Sequence, residues 1–364
     1  MIESDQPDSR HTLPGLVPGI HAVIRRARVR MCAHIPVSSW SRCSKEDLTT
    51  TARRTRRSHE DETSLLCEPL RGLRAFVVKS FLAPLIATLT LVVPHAQAAP
   101  LKISTWNLNW LTARSHAEAH LPTDVHVRKA EDFAKLASYA TKLAADIVAF
   151  QEVDGPAAAA LVFDPARYTL ITTRQSVVQR VGLAIRHDIA VVHQEDYTPL
   201  DVEPEAAFPL RHGLDATLML PGGHLLRVLV IHLKTGCQTE GLDHPTRPQC
   251  VLLSRQIPPL AAWIAGRQAE HAAFLVMGDF NRVLDQPEPF GTALSAAAPL
   301  LRVTQGWANP CWEGAAFIDH IFAGGAARAW VQPGSLRVQV FRDSEALKSK
   351  LSDHCPVSVT INTK

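Results

Sequence analysis

Residues Ala273–Leu284 read AFLVMGDFNRVL, and the fold turns on how this stretch is read. Ala273 and the run Phe274–Gly278 are apolar or small without a break, the mark of a strand buried on both faces. The strand is expected to stop at Gly278 and hand Asp279 and Asn281 to a loop at its carboxyl end. Residues two apart on an extended chain share a face, so these two side chains are predicted to point at one spot. A carboxylate beside a carboxamide suits work on a phosphate: one takes a proton from water, the other donates a hydrogen bond and stays neutral. Gly, Asp and Asn are also ordinary turn formers, so the rest of the chain has to decide.

Outward from that strand, apolar runs alternate with helical periods. Strands are predicted at Leu101–Trp110, Asp146–Val153, Tyr168–Thr173, Val177–Arg186 and Ala190–Tyr197. Leu214–Leu220 and Leu225–Leu233 flank Pro221-Gly222-Gly223, a hairpin signal. Further strands are expected at Phe317–Ala323, Leu336–Phe341 and Pro356–Ile361. Phe133, Leu136, Ala140 and Leu143 fall three and four apart, which predicts an amphipathic helix over Val127–Ala145. A short Ala-rich helix is expected at Pro156–Phe163, and a longer one at Leu252–Glu270, bent or restarted at Pro258-Pro259. Another short helix should follow the central strand and reach about Ala298. Helices mixed with hairpin-connected strands imply an α/β protein: a four-layer α/β sandwich, two mixed β-sheets flanked by helices. Residues 99–364 form it as one domain, with no internal repeat or low-complexity linker.

The 364 residues are 46% hydrophobic and 20% charged, the balance of a soluble globular protein. Charge is divided unevenly. Residues 1–98 hold 14 Lys/Arg against 9 Asp/Glu, whereas residues 99–364 hold 24 against 26. The folded part is slightly acidic, which gives no support to a broad basic face for nucleic acid. Residues 1–70 mix arginine pairs with Ser, Thr, Pro and His and show no apolar period. They read as a basic arm, a disordered leader, or translation from a start codon placed too early. The next segment favours the last two. Arg71, Arg74 and Lys79 precede the 14 residues Ser80–Val93, and Ala96-Gln97-Ala98 follows. That is the charged, apolar and small-residue sequence of a secretory signal peptide over 71–98, cleaved before Ala99. It is short of the roughly 20 residues a membrane span needs. The expected product is secreted or periplasmic.

Cysteine usage agrees with export. Cys237, Cys250, Cys311 and Cys355 lie beyond the signal, and an even number in an exported chain is consistent with two disulfides. Cys237 and Cys250 bracket a polar loop that a bridge would close, which leaves Cys311 with Cys355. A zinc site is the rival reading, although no Cys-x-x-Cys or His-x-x-x-His spacing is present.

Polar residues recur at the ends of the apolar strands: Asn107 and Asn109, Glu152, His232, Asp279 and Asn281, Asp319-His320, and Asp353-His354. Each alone is explicable as a turn, a solvated tip or a satisfied core histidine. Together they describe a place where catalysts collect in α/β proteins. One metal, two imidazoles, two carboxamides and a spare carboxylate can hydrolyse a phosphate diester by direct attack of water. No Gly-x-Ser-x-Gly nucleophile or Gly-Lys-Ser/Thr phosphate loop competes with that reading.

The motifs TWNLN, FQEV, HLK, GDFN, IDHI and SDHCPV, in this order between Leu101 and Val357, resemble the endonuclease/exonuclease/phosphatase superfamily. The Cys237/Cys250 loop is similar to that of its secreted bacterial members. The resemblance implies a metal-dependent phosphoric ester hydrolase. Glu152 would be the main ligand of a divalent cation, Mg²⁺ by expectation with Mn²⁺ or Ca²⁺ as substitutes. Asp353 would lie near that cation, and Asn107 would help place Glu152 or the phosphate. Asp279 would activate water, Asn281 would hold a phosphate oxygen, His354 would pair with Asp319, and His232 would contact phosphate or act as a second acid/base. Two positions depart from the pattern. Asn109 stands where some members have an acidic metal ligand, and Gln179 stands where deoxyribonucleases have a glutamate supporting the first histidine.

Three functions follow: a nuclease, a phospholipid or small phosphate-ester hydrolase, and a non-catalytic binding module on the same fold. A lipid enzyme should carry a protruding aromatic element, and none is expected between 100 and 364. Arg174, Arg180, Arg211 and Arg282 are candidates to line a nucleic-acid groove.

Overall fold

The computed structural model describes residues 99–343 and 350–364. The leader and signal-peptide readings fall on residues 1–98, outside the described residues. Among the described residues no helix is long and apolar enough to cross a membrane.

The strands are β1 (Leu101–Leu111), β2 (Ile147–Val153), β3 (Tyr168–Thr172), β4 (Arg180–Arg186), β5 (Ala190–Tyr197), β6 (Gly213–Met219), β7 (Leu225–His232), β8 (Phe274–Asp279), β9 (Leu300–Arg302), β10 (Asp319–Gly324), β11 (Arg337–Val338) and β12 (Val357–Ile361). They form two six-stranded sheets, ordered β11-β12-β1-β2-β4-β3 and β5-β6-β7-β8-β10-β9. Each sheet is built around one parallel pair, β1 with β2 and β7 with β8. The remaining pairings are antiparallel. The helices are α1 (His116–Ala119), α2 (Ala130–Leu143), α3 (Pro156–Ala159), α4 (Pro248–Ala269), α5 (Pro289–Ala297) and α6 (Ala327–Trp330).

Three apolar layers hold the sandwich together. Ile103, Ile147 and Leu183 of the first sheet meet Ala216, Val228 and Met277 of the second between the sheets. Leu136, Tyr139 and Leu143 of α2 cover Trp106, Val148 and Phe150 on one outer face. Leu253, Leu260 and Ile264 of α4 and Phe290 of α5 cover Ile231, Phe274 and Val276 on the other. Helix, sheet, sheet and helix are the expected four layers.

Two expectations need correction. Helix α4 runs unbroken through Pro258 and Pro259. Pro258 and Arg255 are exposed, so the turn that loses its hydrogen-bond donors lies on the solvent side, while the apolar stripe stays fixed on the second sheet. The central strand also does not stop at Gly278; β8 extends one residue further, to Asp279. Gly278 has φ +146°, and a Cβ there would meet the Ile231 carbonyl oxygen of neighbouring β7 at 2.0 Å. Only glycine lets the chain turn that tightly against its parallel partner and still carry Asp279 within the sheet.

Candidate active site

Topology brings the polar strand ends to one edge. Asn107 and Glu152 lie near the carboxyl ends of the parallel pair β1 and β2, and His232 and Asp279 end β7 and β8. Because β10 runs antiparallel to β8, its first residue, Asp319, pairs with Asp279. His232 pairs with Asp279 from the other side. His354 arrives just ahead of β12, which is antiparallel to β1. These six candidate residues therefore sit at the same end of the sandwich, and Asn281 and Asp353 adjoin two of them, Asp279 and His354.

The hub is the buried Asp279 carboxylate. Its Oδ2 accepts hydrogen bonds from Asn107 Nδ2 at 3.1 Å and Asn281 Nδ2 at 3.0 Å. His232 Nε2 stands 3.7 Å away and His354 Nε2 3.8 Å away. Asn281 does not reach this point by strand alternation. It follows β8 in the left-handed region, φ +51°. Its backbone N–H donates to Asp279 Oδ1 at 2.7 Å, an Asx-type turn that locks the carboxylate. Its side-chain amide also donates to the Leu233 carbonyl, so both amide protons are engaged. Burial pushes the Asp279 carboxyl upward; Asp319 and Glu152 add to this, against the pull of His354 and the Asn281 N–H.

Two histidines flank the hub in opposite states. Burial opposes charge on His354, but Asp319, Asp279 and Asp353 outweigh it and hold its pKa well above the usual value. Its Nδ1 donates to Asp319 Oδ2 at 2.8 Å. Burial dominates at His232 and, with Arg211 and His354 adding to it, keeps that imidazole neutral, its pKa well below the usual range. His232 Nδ1 is buried without a hydrogen-bond partner. Gln179, at the position of the missing glutamate, instead lines a neighbouring cavity.

Glu152 supplies the half-buried carboxylate. Oε1 accepts from Asn107 Nδ2 and Oε2 from the Trp110 backbone N–H, each at 3.0 Å. Asn109, Trp110 and Glu152 all have positive φ. The β1–β2 and β2–β4 registers slip at these residues. Bulges of this kind re-aim side chains at functional sites, and the backbone strain is sustained by the surrounding sheet.

The donor set fits a hard divalent cation. Glu152 keeps lone pairs beyond its two hydrogen bonds, exposed Asp353 lies beside His354, and Asn107 offers an amide oxygen that already accepts the Asn109 N–H. Burial, and then the neighbouring carboxylates, raise the cost of ionising Asp279, and a cation held nearby relieves it. Among the described residues two groups could by geometry hold an ion: Asp279, Asp319 and His354, which belong to the hub, and Cys237, Glu240 and Cys250, which is not a thiolate site. Both expected disulfides are present, Cys237–Cys250 and Cys311–Cys355.

Several supporting residues carry no sequence signal. Arg128 donates to the carbonyls of Leu108, Asn109, Trp110 and Leu351, tying the end of β1 to the segment before His354. Ser352 accepts the His354 N–H and donates to the Asn107 carbonyl. Of the four candidate arginines, Arg282 is buried and bound to Glu288, Cys237 and Glu240, so it lines no groove. Arg180 and Arg211 do line the neighbouring cavity. Phe208, 88% exposed, is the protruding aromatic the sequence reading did not anticipate.

The sequence profile of the endonuclease/exonuclease/phosphatase family matches residues 104–354. No curated protein matches the sequence. Among solved structures, D. rerio TDP2 humanized by 14 mutations is similar at 19% identity with a TM-score of 0.52, over 72% of this chain and 99% of that one. D. rerio TDP2 complexed with a single-strand DNA product gives 18% identity and 0.50, over 73% and 100%. TDP2 from C. elegans gives 15% and 0.50, over 75% and 78%. At such identities the structural likeness shows the fold, which is the sandwich described above. With the family profile spanning most of the chain and its motif residues gathered on one carboxylate hub, the chain belongs to the endonuclease/exonuclease/phosphatase family and is a phosphoric ester hydrolase.

Proposed function

We propose that the protein is an exported, divalent-metal-dependent phosphodiesterase that cleaves nucleic acid by direct attack of water. The observation that carries this reading is the convergence on Asp279 Oδ2 of Asn107, Asn281, His232 and His354, all within 3.8 Å. Asp279, held by two amides and raised toward neutrality by burial, accepts the proton of the attacking water. His354, kept cationic by Asp319, faces the same point and supplies positive charge or a proton to the reacting oxygens. Neutral His232 donates a single hydrogen bond to a phosphate oxygen. Asn281 positions Asp279 with the amide protons the sequence reading assigned to phosphate. Glu152, with Asn107 hydrogen-bonded to it and Asp353 beside His354, would hold Mg²⁺, with Mn²⁺ or Ca²⁺ as substitutes. Bound there, the cation would neutralise charge on the phosphate oxygens.

Nucleic acid as substrate is supported by the D. rerio TDP2 structure, which contains a single-strand DNA product. Export is supported by the signal-like 71–98 segment and by two disulfides, which persist in oxidising compartments. The test is an assay of the disulfide-intact protein on plasmid DNA, RNA, sphingomyelin and bis-p-nitrophenyl phosphate, with Mg²⁺ and then with EDTA. Metal-dependent cleavage of a nucleic acid that is lost in Asp279→Asn is the expected result. Turnover that survives both EDTA and Asp279→Asn would end the reading.

A further inference from the structure

Beside the hub lies a cavity of about 660 Å³ that the catalytic residues themselves do not account for. It shares Trp110, Arg211 and Lys234 with the surroundings of the site. Trp110 gives its backbone N–H to Glu152, and the charge of Arg211 is felt by Glu152, Asp279 and His232. The cavity thus borders the site through Trp110, Arg211 and Lys234, the last two of which bring positive charge within reach of a phosphate. Its volume is that of a pocket for one small organic group, within the roughly 300–1,000 Å³ typical of ligand sites.

Its lining divides by chemistry. Arg211 and Lys234 supply positive charge to the lining: Arg211 gives one N–H to the Leu233 carbonyl, and its buried Nε has no partner. Lys234 follows Leu233 and forms no salt bridge among the described residues. One wall is apolar, with Val178 and the Phe208 ring. Another carries the Arg114–Asp154 ion pair. An acyl chain would desolvate that pair with nothing to replace its water. A flat ring with polar edges can lie against the apolar wall and present those edges to the charged one.

Phe208 is not a loose tip. Its loop is pinned at the base by Gln175, which donates to the Leu210 carbonyl at 2.7 Å and accepts the His212 N–H at 2.9 Å. Asp201 accepts the Leu210 N–H at 3.0 Å. Glu203, at the start of the loop, pairs with Arg255 of α4. An aromatic ring 88% exposed on a braced loop, lining a cavity it shares with Arg211 and Lys234, is a stacking surface for a flat partner.

We propose that this cavity is the pocket of one unstacked nucleobase, belonging to the nucleotide whose phosphate Arg211 and Lys234 hold, with Phe208 as its stacking platform. The proposal rests on the nucleic-acid reading of the site and makes the enzyme selective for single strands or frayed ends, because a base inside a duplex cannot enter.

The test compares oligothymidylate with an oligomer of equal length in which every base is replaced by an abasic tetrahydrofuran unit. The phosphates are alike, so the ratio of kcat/KM isolates the base. The native protein is expected to favour oligothymidylate at least tenfold. Phe208→Ala should lower that ratio by about 5- to 100-fold, the effect of one lost stacking contact, and Phe208→Tyr should restore it. Lys234→Gln should slow both oligomers and leave the ratio standing. A native ratio near one, or an unchanged ratio in Phe208→Ala, overturns the pocket while the nuclease reading stands. If no nucleic acid is cleaved with any divalent cation, the nuclease reading fails and calorimetric binding of thymidine 5′-monophosphate decides the pocket. Binding weakened at least fivefold by Phe208→Ala supports it, and equal binding overturns it. Loss of sphingomyelin-vesicle binding in Phe208→Ala with an unchanged oligomer ratio also overturns it.

Discussion

The His354 and His232 sides of the catalytic edge differ in how they are held, although the two imidazoles stand within 0.1 Å of the same distance from Asp279 Oδ2. His354 has a carboxylate on Nδ1, a hydroxyl on its backbone N–H, and a disulfide at the next residue. His232 is the last residue of β7 and is buried, with Nδ1 unpartnered. One ring is a stabilised cation and the other a neutral donor. The comparison teaches that the protonation state of a histidine here is set by the residues packed around it, and the ring type says nothing about it.

The largest way to break the comparison is to delete each ring in turn. His354→Ala should lower kcat/KM on bis-p-nitrophenyl phosphate by about 10³- to 10⁴-fold, because both an acid/base group and a positive charge are lost. His232→Ala should cost roughly 10- to 100-fold, the loss of one neutral hydrogen bond in the transition state. Equal losses would abolish the distinction. Asp319→Asn should fall between the two, since it leaves the ring but removes the charge that keeps it protonated.

The disulfides sharpen the contrast next. Cys311–Cys355 closes 44 residues and holds the chain beside His354, whereas Cys237–Cys250 closes 13 next to the Lys234 segment. Loop entropy puts their removal at about 4 and about 3 kcal/mol of stability respectively. Urea unfolding of the two double Cys→Ser variants measures this order. Only the Cys311/Cys355 variant is expected to lose catalysis beyond its loss of folded protein.

A third imidazole on the same edge provides the smallest effect. His320 is buried between Phe280 and Phe322, bonded to the Thr304 hydroxyl and the Arg282 carbonyl. Burial pushes its pKa down to about 3. A group depressed in the folded state gives stability that is fully present above its unfolded pKa of about 6.5 and is lost as pH falls toward 3. The loss is at most about 1.4 kcal/mol per pH unit in that window. Urea midpoints at pH 7 and pH 5.5 should therefore separate for the native protein and separate less for His320→Gln.

How far the site could be read from sequence depends on which neighbours each residue has. Glu152, His232 and Asp279 were visible because an apolar run must end somewhere, and a charged residue at its end is conspicuous. The pairing of Asp279 with Asn281 was anticipated for the wrong reason, since the left-handed Asn281 turn and not strand alternation joins them. Arg128 and Ser352 were invisible, because an arginine before a helix and a serine in a loop are unremarkable until the chain folds over them. Phe208 was missed because exposure, unlike hydrophobicity, is not a property of a residue type.

By itself the sequence determined the layers: runs of Val, Ile, Leu and Phe with period two or unbroken, bounded by turn residues, read as strands in a buried sheet, and the 3.6-residue stripe of α2 covers one of its faces. It also determined which chemistry was on offer. Only the tertiary structure decided that Asn107, Glu152, His232, Asp279 and His354 share one edge, because strand direction and order fix which ends lie together. It alone decided the charge on each histidine, since protonation answers to burial and to carboxylates contributed from 35 to 80 residues away along the chain, distances that local pattern does not encode.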